Sequence, residues 1–313
     1  MFDIPVLFLV FNRPDTTFRV FEAIRNLRPK QLYIGADGPR LHIDGDSEKC
    51  EQVRSIVDQI DWNCEVKTFF RTENYGPFAP FTFIKWFFEQ EGMGIVLEDD
   101  CLPDDDFFFF CREMLMRYKD DERIGIISGA NFNSEEMTPY SYYFSKNNFI
   151  WGWASWRRVI QPFDALLDKL SFCDFKALLR QNFDTLPERL FWKSVYRGLK
   201  SGQIRTWDYQ FSFSLWERGL LSIIPEKNLI SNIGFGAGAI HTTDTSSLLS
   251  DRKREKIFPL EHNPDVVRHR EAERQFFRNH VMENRPCKFY LKTLLKRIGI
   301  FQHLMALKKR VGR

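Results

Sequence analysis

The first 130 residues alternate between short apolar runs and longer segments whose apolar positions recur at helical spacing. PVLFLVF (5–11) has no polar position and predicts a strand buried on both faces. DTTFRVFEAIRNL follows, with Asp15 or Thr16 placed to cap a helix. The alternation continues through QLYIGADG, a charged helical stretch around 47–60, EVKTFF, a helix around 78–90 and GIVLEDD. A helix from about Asp106 to Lys119 then leads to IGIISGA. This order predicts an α/β fold with a parallel or mostly parallel sheet covered by helices on both faces.

After Asn131 the pattern loosens. SYYFSKNNFIWGWASWRRVI is aromatic-rich and irregular, and helical segments are expected near 174–200 and 208–218. LSIIPEKNLISNIGFGAGAIHTTDT predicts a strand and a Gly-rich loop, whose Gly234, Gly236 and Gly238 suit a segment that closes over a ligand. The charged segment 251–283 and the basic segment 288–310 are both expected to be helical, the latter interrupted at Gly299. Two units follow: residues 1–245 as the α/β domain and 246–313 as a helical extension.

Ligands of an open α/β sheet bind beyond the carboxyl ends of its strands. Three polar clusters fall there: Asn12-Arg13, Asp37-Gly38 and Glu98-Asp99-Asp100. Six acids lie between Glu98 and Asp106, and they divide into two trios. Glu98, Asp99 and Asp100 end a buried strand, where charge is costly unless it is paired or metal-bound; a solvated strand end is the plainer reading. Strand alternation puts Glu98 and Asp100 on one face and Asp99 on the other. Asp104, Asp105 and Asp106 precede an apolar helical run and suit its N-terminus.

The 313 residues include 32 Phe and 8 Trp, enough for one large core or two modest ones. A net charge of +3 implies no partner by itself, and the rest of the chain lacks the basic pattern of a nucleic-acid binder. The last 29 residues carry nine Lys or Arg and no acid. This amphipathic tail could lie on an anionic membrane surface or dock on its own domain. The cysteines at 50, 64, 101, 111, 173 and 287 show no zinc spacing, and with no secretory leader they are expected to be reduced thiols of a cytoplasmic protein, peripheral to the inner membrane at most. No GxGxxG, GxxxxGK[ST] or GxSxG occurs. Phosphates bound at this edge would therefore need a divalent cation on carboxylates, and Mg²⁺ or Mn²⁺ suits oxygen ligands.

VLEDDCLPDDDFFFFC resembles the acidic segment of GT-A-fold glycosyltransferases of the N-acetylglucosaminyltransferase I-like group. FNRPDTT, GADGPR, ISGANF, WGWASWRR and WDYQFSFSLWERGLLSIIPEKNLISNIGFG resemble, in that order, bacterial nucleotide-diphospho-sugar transferases. The resemblance implies that Asp100 binds Mn²⁺ or Mg²⁺ bridging a diphosphate, with Glu98 and Asp99 on the ribose or supporting the metal. Asn12 and Arg13 would line the nucleotide pocket, and Asp37 would accept a hydrogen bond from the base of a UDP-sugar. Trp151 and Trp153 would floor the sugar or acceptor site, although a cluster of aromatics is as often core. Asp208 would be the catalytic base of an inverting transfer to a glycan or lipid-linked acceptor in surface-polysaccharide synthesis. His241 would join the metal shell or be a loop histidine. Two departures stand out: only one acid follows Trp207, and after NYG the only base in the next stretch is Lys85. The competing expectations are a metal-dependent nucleotidyltransferase and a non-catalytic nucleotide- or sugar-binding protein.

Overall fold

The structure, a computed structural model, describes residues 1–165, 167–234 and 252–282. Its first half follows the predicted alternation: β1 (Val6–Val10), α1 (Pro14–Leu27), β2 (Gln31–Ala36), α2 (Asp46–Arg54), β3 (Glu65–Phe70), α3 (Ala79–Gln90), β4 (Met93–Glu98), β5 (Cys101–Pro103), α4 (Asp105–Arg117) and β6 (Ile124–Ser128). The second half adds β7 (Tyr142–Ser145), β8 (Trp153–Trp156), α5 (Arg157–Ile160), α6 (Phe172–Asn182), α7 (Leu186–Lys200), α8 (Asp208–Glu217), β9 (Leu221–Pro225), β10 (Ile230–Asn232) and α9 (Arg270–Phe276).

The main sheet has eight strands in the order β3-β2-β1-β4-β8-β6-β9-β7. Only β8 and β7 run against the rest, since both pair antiparallel with their neighbours while β3, β2, β1 and β4 pair in parallel. The expected mostly parallel sheet flanked by helices is therefore what the chain forms. Every residue of β1, β6, β7 and β8 is buried, as sheets covered on both faces require. β7 and β8 fall in the stretch expected to be irregular. Four consecutive buried residues show no period of two, so their strand character leaves no alternating signal.

A second, two-stranded sheet pairs β5 with β10, Cys101 opposite Asn232. It brings the segment before Gly234 alongside the acids that end β4. The second acid trio behaves as expected at one position: Asp104 caps α4, its carboxylate accepting from the Asp106 backbone N–H at 3.0 Å. Asp104 and Asp106 also tie down a later segment, through Lys256 Nζ at 2.7 Å and the Ile257 N–H at 2.8 Å.

That later segment corrects an expectation. Residues 252–269 form an irregular strap and not a helix, with regular helix only from Arg270. Its backbone and cations bond across to other elements: Glu255 N–H to the Asn228 carbonyl at 2.9 Å and Arg254 Nη1 to the Pro103 carbonyl at 2.7 Å. Among the described residues no helix is long and apolar enough to cross a membrane. His241, Gly236, Gly238 and the basic tail lie outside the described residues.

Candidate active site

A cleft of about 740 Å³ opens at the carboxyl ends of β1, β2 and β4. Arg13, Asp37, Glu98, Asp99, Asp100, Trp151 and Asp208 all border it. These residues come from five separate chain segments, three of them at the strand ends where an open sheet binds its ligands.

Arg13 follows β1 and precedes Pro14, the first residue of α1. Proline disfavours a helical conformation in the residue before it. Arg13 accordingly takes φ −120° and ψ 78°, turning the chain between strand and helix. Its Nη1 donates to Asp100 Oδ2 at 2.8 Å and lies 4.0 Å from Asp99 Oδ1. Asp99 Oδ2 in turn accepts from the Phe11 backbone N–H at 3.1 Å, joining the ends of β1 and β4. Burial, and then the Asp100 charge, push the Asp99 carboxyl up to about 7. Glu98 is half-buried in the cleft wall. Burial, followed by the charges of Asp100, Asp99 and Asp208, pushes it up to about 8, with Arg13 pulling the other way. Carboxylates are thus crowded around one guanidinium, an arrangement that favours additional positive charge.

Asp208 occupies the first turn of α8, where an acid complements the positive end of the helix. Thr206 donates its hydroxyl to Asp208 Oδ1. The Asp208 charge is felt at Glu98, which puts the α8 acid and the β4 acids in one electrostatic site.

Three of the expected site residues are placed differently. Asp37 borders the cleft but is 6% exposed, and its carboxylate is filled by four donors: the backbone N–H groups of Gly38, Tyr75 and Gly76 and the Asn74 side-chain amide, at 2.9–3.1 Å. A carboxylate offers about four lone-pair directions, so Asp37 holds the 74–76 turn and has no acceptor to spare for a base. Asn12 does not border the cleft; its amide donates to Asp46. Trp153 is fully buried on β8, packed on Phe211 at 5.7 Å and Trp207 at 6.3 Å between ring centroids. Trp151 stays at the cleft, separated from β8 by Gly152, whose φ of 59° makes the turn.

Arg40, Asn74 and Arg205 also border the cleft; Arg40 ends GADGPR and Asn74 begins NYG, but the sequence assigns none of the three a site role. Arg40 follows the DGP turn; its guanidinium lies 5.2 Å above the Phe11 ring and donates to Asp46 at 2.8 and 3.0 Å. Asp46, 2% exposed, thereby joins Asn12 to Arg40 and fixes that cation at the cleft rim. The signal was an acid six residues after an arginine in a loop, a spacing with no periodic meaning. Lys85, the one base available after NYG, is exposed on α3 and does not border the cleft.

Among the described residues, no three His, Cys, Asp or Glu side chains converge closely enough to form a metal cage. Asp100 and its neighbours supply hard oxygen donors, which suits a cation held by one or two carboxylates and completed by phosphate and water. The residues present fit Mg²⁺ or Mn²⁺ in that manner.

No protein-family model matches the chain, and no curated protein matches it. Solved structures similar to it include S. aureus TarS 1–349 in complex with UDP-GlcNAc, at 11% identity and TM-score 0.42, covering 91% of this chain and 69% of that one. Another TarS 1–349 structure, at 10% identity and TM-score 0.40, covers 74% of this chain, which spans only 59% of that one. Mouse xyloside xylosyltransferase 1 in its apo form, at 11% identity and TM-score 0.35, covers 70% of this chain and 83% of that one.

Proposed function

We propose that the chain is a glycosyltransferase that moves a sugar from a nucleotide diphosphate sugar, a UDP-sugar in the first instance, to an acceptor hydroxyl. The observation that carries this reading is the single cleft in which Glu98, Asp99, Asp100 and Asp208 face Arg13, Arg40 and Arg205. Arginines give a diphosphate planar, charge-assisted donors. Asp100, with Asp99 or Glu98 beside it, would hold Mn²⁺ or Mg²⁺, which supplies Lewis-acid stabilisation of the departing diphosphate.

Asp208 is the proposed base. It takes the proton of the acceptor hydroxyl as that oxygen bonds to the anomeric carbon. The bond from that carbon to the diphosphate oxygen breaks, and its electron pair leaves with the nucleoside diphosphate. One displacement with one base inverts the anomeric centre. Thr206 steadies the carboxylate through its hydroxyl, and Trp151 offers an apolar face to a sugar at the cleft wall. A hexosyl or N-acetylhexosaminyl donor and a glycan or lipid-linked acceptor of surface-polysaccharide assembly complete the proposal. The basic tail would meet an anionic membrane face at the cytoplasmic side.

A panel of UDP-sugars, titrated with and without Mn²⁺ and followed by UDP release and product NMR, tests this. Metal-dependent UDP release and a product of inverted anomeric configuration are expected, both abolished in Asp100→Asn. Absence of nucleotide binding, or release of UDP that ignores both metal and Asp100, would sink the reading.

A further inference from the structure

Both oxygens of Asp100 are already engaged. Oδ2 accepts from Arg13 Nη1 at 2.8 Å, while Oδ1 faces Asn232 Nδ2 at 3.3 Å and the Cys101 thiol at 3.5 Å. The same Arg13 nitrogen stands 4.0 Å from Asp99 Oδ1. One guanidinium nitrogen therefore lies between the two carboxylates that a divalent cation would use. The Arg13 and Asp100 side chains are only 19% and 16% exposed, so solvent screens their attraction less than it would at the open surface. Gly234 closes over the pair: a Cβ there would lie 2.7 Å from Asp100 Cβ and 2.8 Å from Arg13 Nη1.

We propose that Arg13 competes with the divalent cation for Asp100. Two cations a few ångströms apart repel, most strongly where water is scarce, so the cation enters by breaking the Arg13–Asp100 pair. A donor diphosphate in the same cleft offers the released guanidinium a new anionic partner. Cation and nucleotide then each bind weakly alone and strengthen each other, and this coupling is reciprocal. The inference rests on the nucleotide-sugar and cation reading above and adds to it a role for Arg13 in coupling the binding of the two.

The test measures Mn²⁺ binding to the full chain by electron paramagnetic resonance of free Mn²⁺ and by calorimetry, with and without UDP. Wild type, Arg13→Gln and Arg13→Lys are compared, with thermal melts to confirm folding. Arg13→Gln is expected to bind Mn²⁺ alone on the order of tenfold more tightly than wild type and to lose most of the enhancement by UDP. Arg13→Lys keeps the charge and is expected to stay near wild type. Mn²⁺ binding in Arg13→Gln no tighter than in wild type overturns the proposal. If that variant does not fold, wild type decides alone, because Mn²⁺ affinity unchanged by UDP also overturns it. Failure of every form to bind Mn²⁺ while UDP still binds refutes the cation reading itself, an outcome distinct from equal Mn²⁺ affinities.

Discussion

Gly234 lies flat against Asp100, leaving no room for a side chain: a Cβ at 234 would overlap the Asp100 carboxylate and crowd Arg13 Nη1 at 2.8 Å. The Asn232 side chain holds the Gly234 N–H at 2.9 Å, so the backbone cannot easily retreat. Gly234→Ala should therefore displace the Asp100–Arg13 pair. Overpacking of this kind costs about 1–3 kcal/mol. A lower melting temperature and a UDP affinity changed at least severalfold are expected. Unchanged nucleotide affinity would show that the pair does not form part of the binding site.

Asp208→Asn should separate chemistry from binding. Loss of a general base lowers turnover by about 10²–10⁴, whereas UDP affinity should stay within about twofold of wild type. Thr206→Val, which removes the hydroxyl bonded to Asp208, should give a smaller fall in turnover, with the wild-type rate regained in Thr206→Ser. Simultaneous loss of UDP binding and turnover in Asp208→Asn would make Asp208 a structural residue of the α8 terminus.

The two tryptophans of WGW should behave oppositely. Trp153→Ala removes a fully buried ring and should destabilise the chain by about 3–5 kcal/mol, read by urea unfolding. Trp151→Ala should leave stability closer to wild type and raise the KM for sugar donor or acceptor, since Trp151 borders the cleft. Equal destabilisation by both would place Trp151 in the core as well.

PVLFLVF and GIVLEDD were legible as strands because central parallel strands are continuously apolar and end in polar residues at the ligand edge. Asp37 and Asp100 looked alike on that basis, each an acid just past a strand. What separates them is the 74–76 turn, which fills the Asp37 carboxylate from 37 to 39 residues away. Arg40 was hidden for a related reason: its place at the cleft depends on Asp46 and Phe11, neither of which marks it in the sequence. The strap at 252–269 misled through its charge pattern, because its polar groups bond to other elements and not to their own helix.

Asp46 gives the fold an acid-sensitive joint. Hydrogen bonding from Arg40, opposed by burial, lowers its carboxyl from 3.8 to about 2. A depressed carboxyl contributes stability that is present above the unfolded value, near 4, and is lost as pH falls through the folded value, near 2. The drop corresponds to about 2 kcal/mol. Urea unfolding of wild type between pH 5 and pH 2 should show this loss, and Asp46→Asn should flatten that part of the profile. The variant should also weaken UDP binding at neutral pH, because Arg40 loses its anchor at the cleft rim.

One buried carboxylate on α9 ties that helix to the rest of the chain. Glu273 is 3% exposed on the side chain and binds Lys146 Nζ at 2.8 Å and Arg268 Nη2 at 2.7 Å, with Lys146 itself 4% exposed. Its other oxygen accepts the Lys146 backbone N–H at 2.7 Å, so one carboxylate joins α9, the strap and the end of β7. The two cations hold Glu273 below the usual carboxylate range against the opposing effect of burial. Among the described residues, Glu273→Gln leaves the buried lysine with Glu188, 3.8 Å away, as its one charged partner. Removing one member of a buried ion pair typically costs about 3–5 kcal/mol. Proteolysis should then cut first in the strap, and hydrogen exchange should rise in α9 before the main sheet. Retention of wild-type stability in Glu273→Gln, with no change in α9 protection, would mean that the apolar contacts of Ala272 and Phe276 with Phe132 and Phe149 hold the segment unaided.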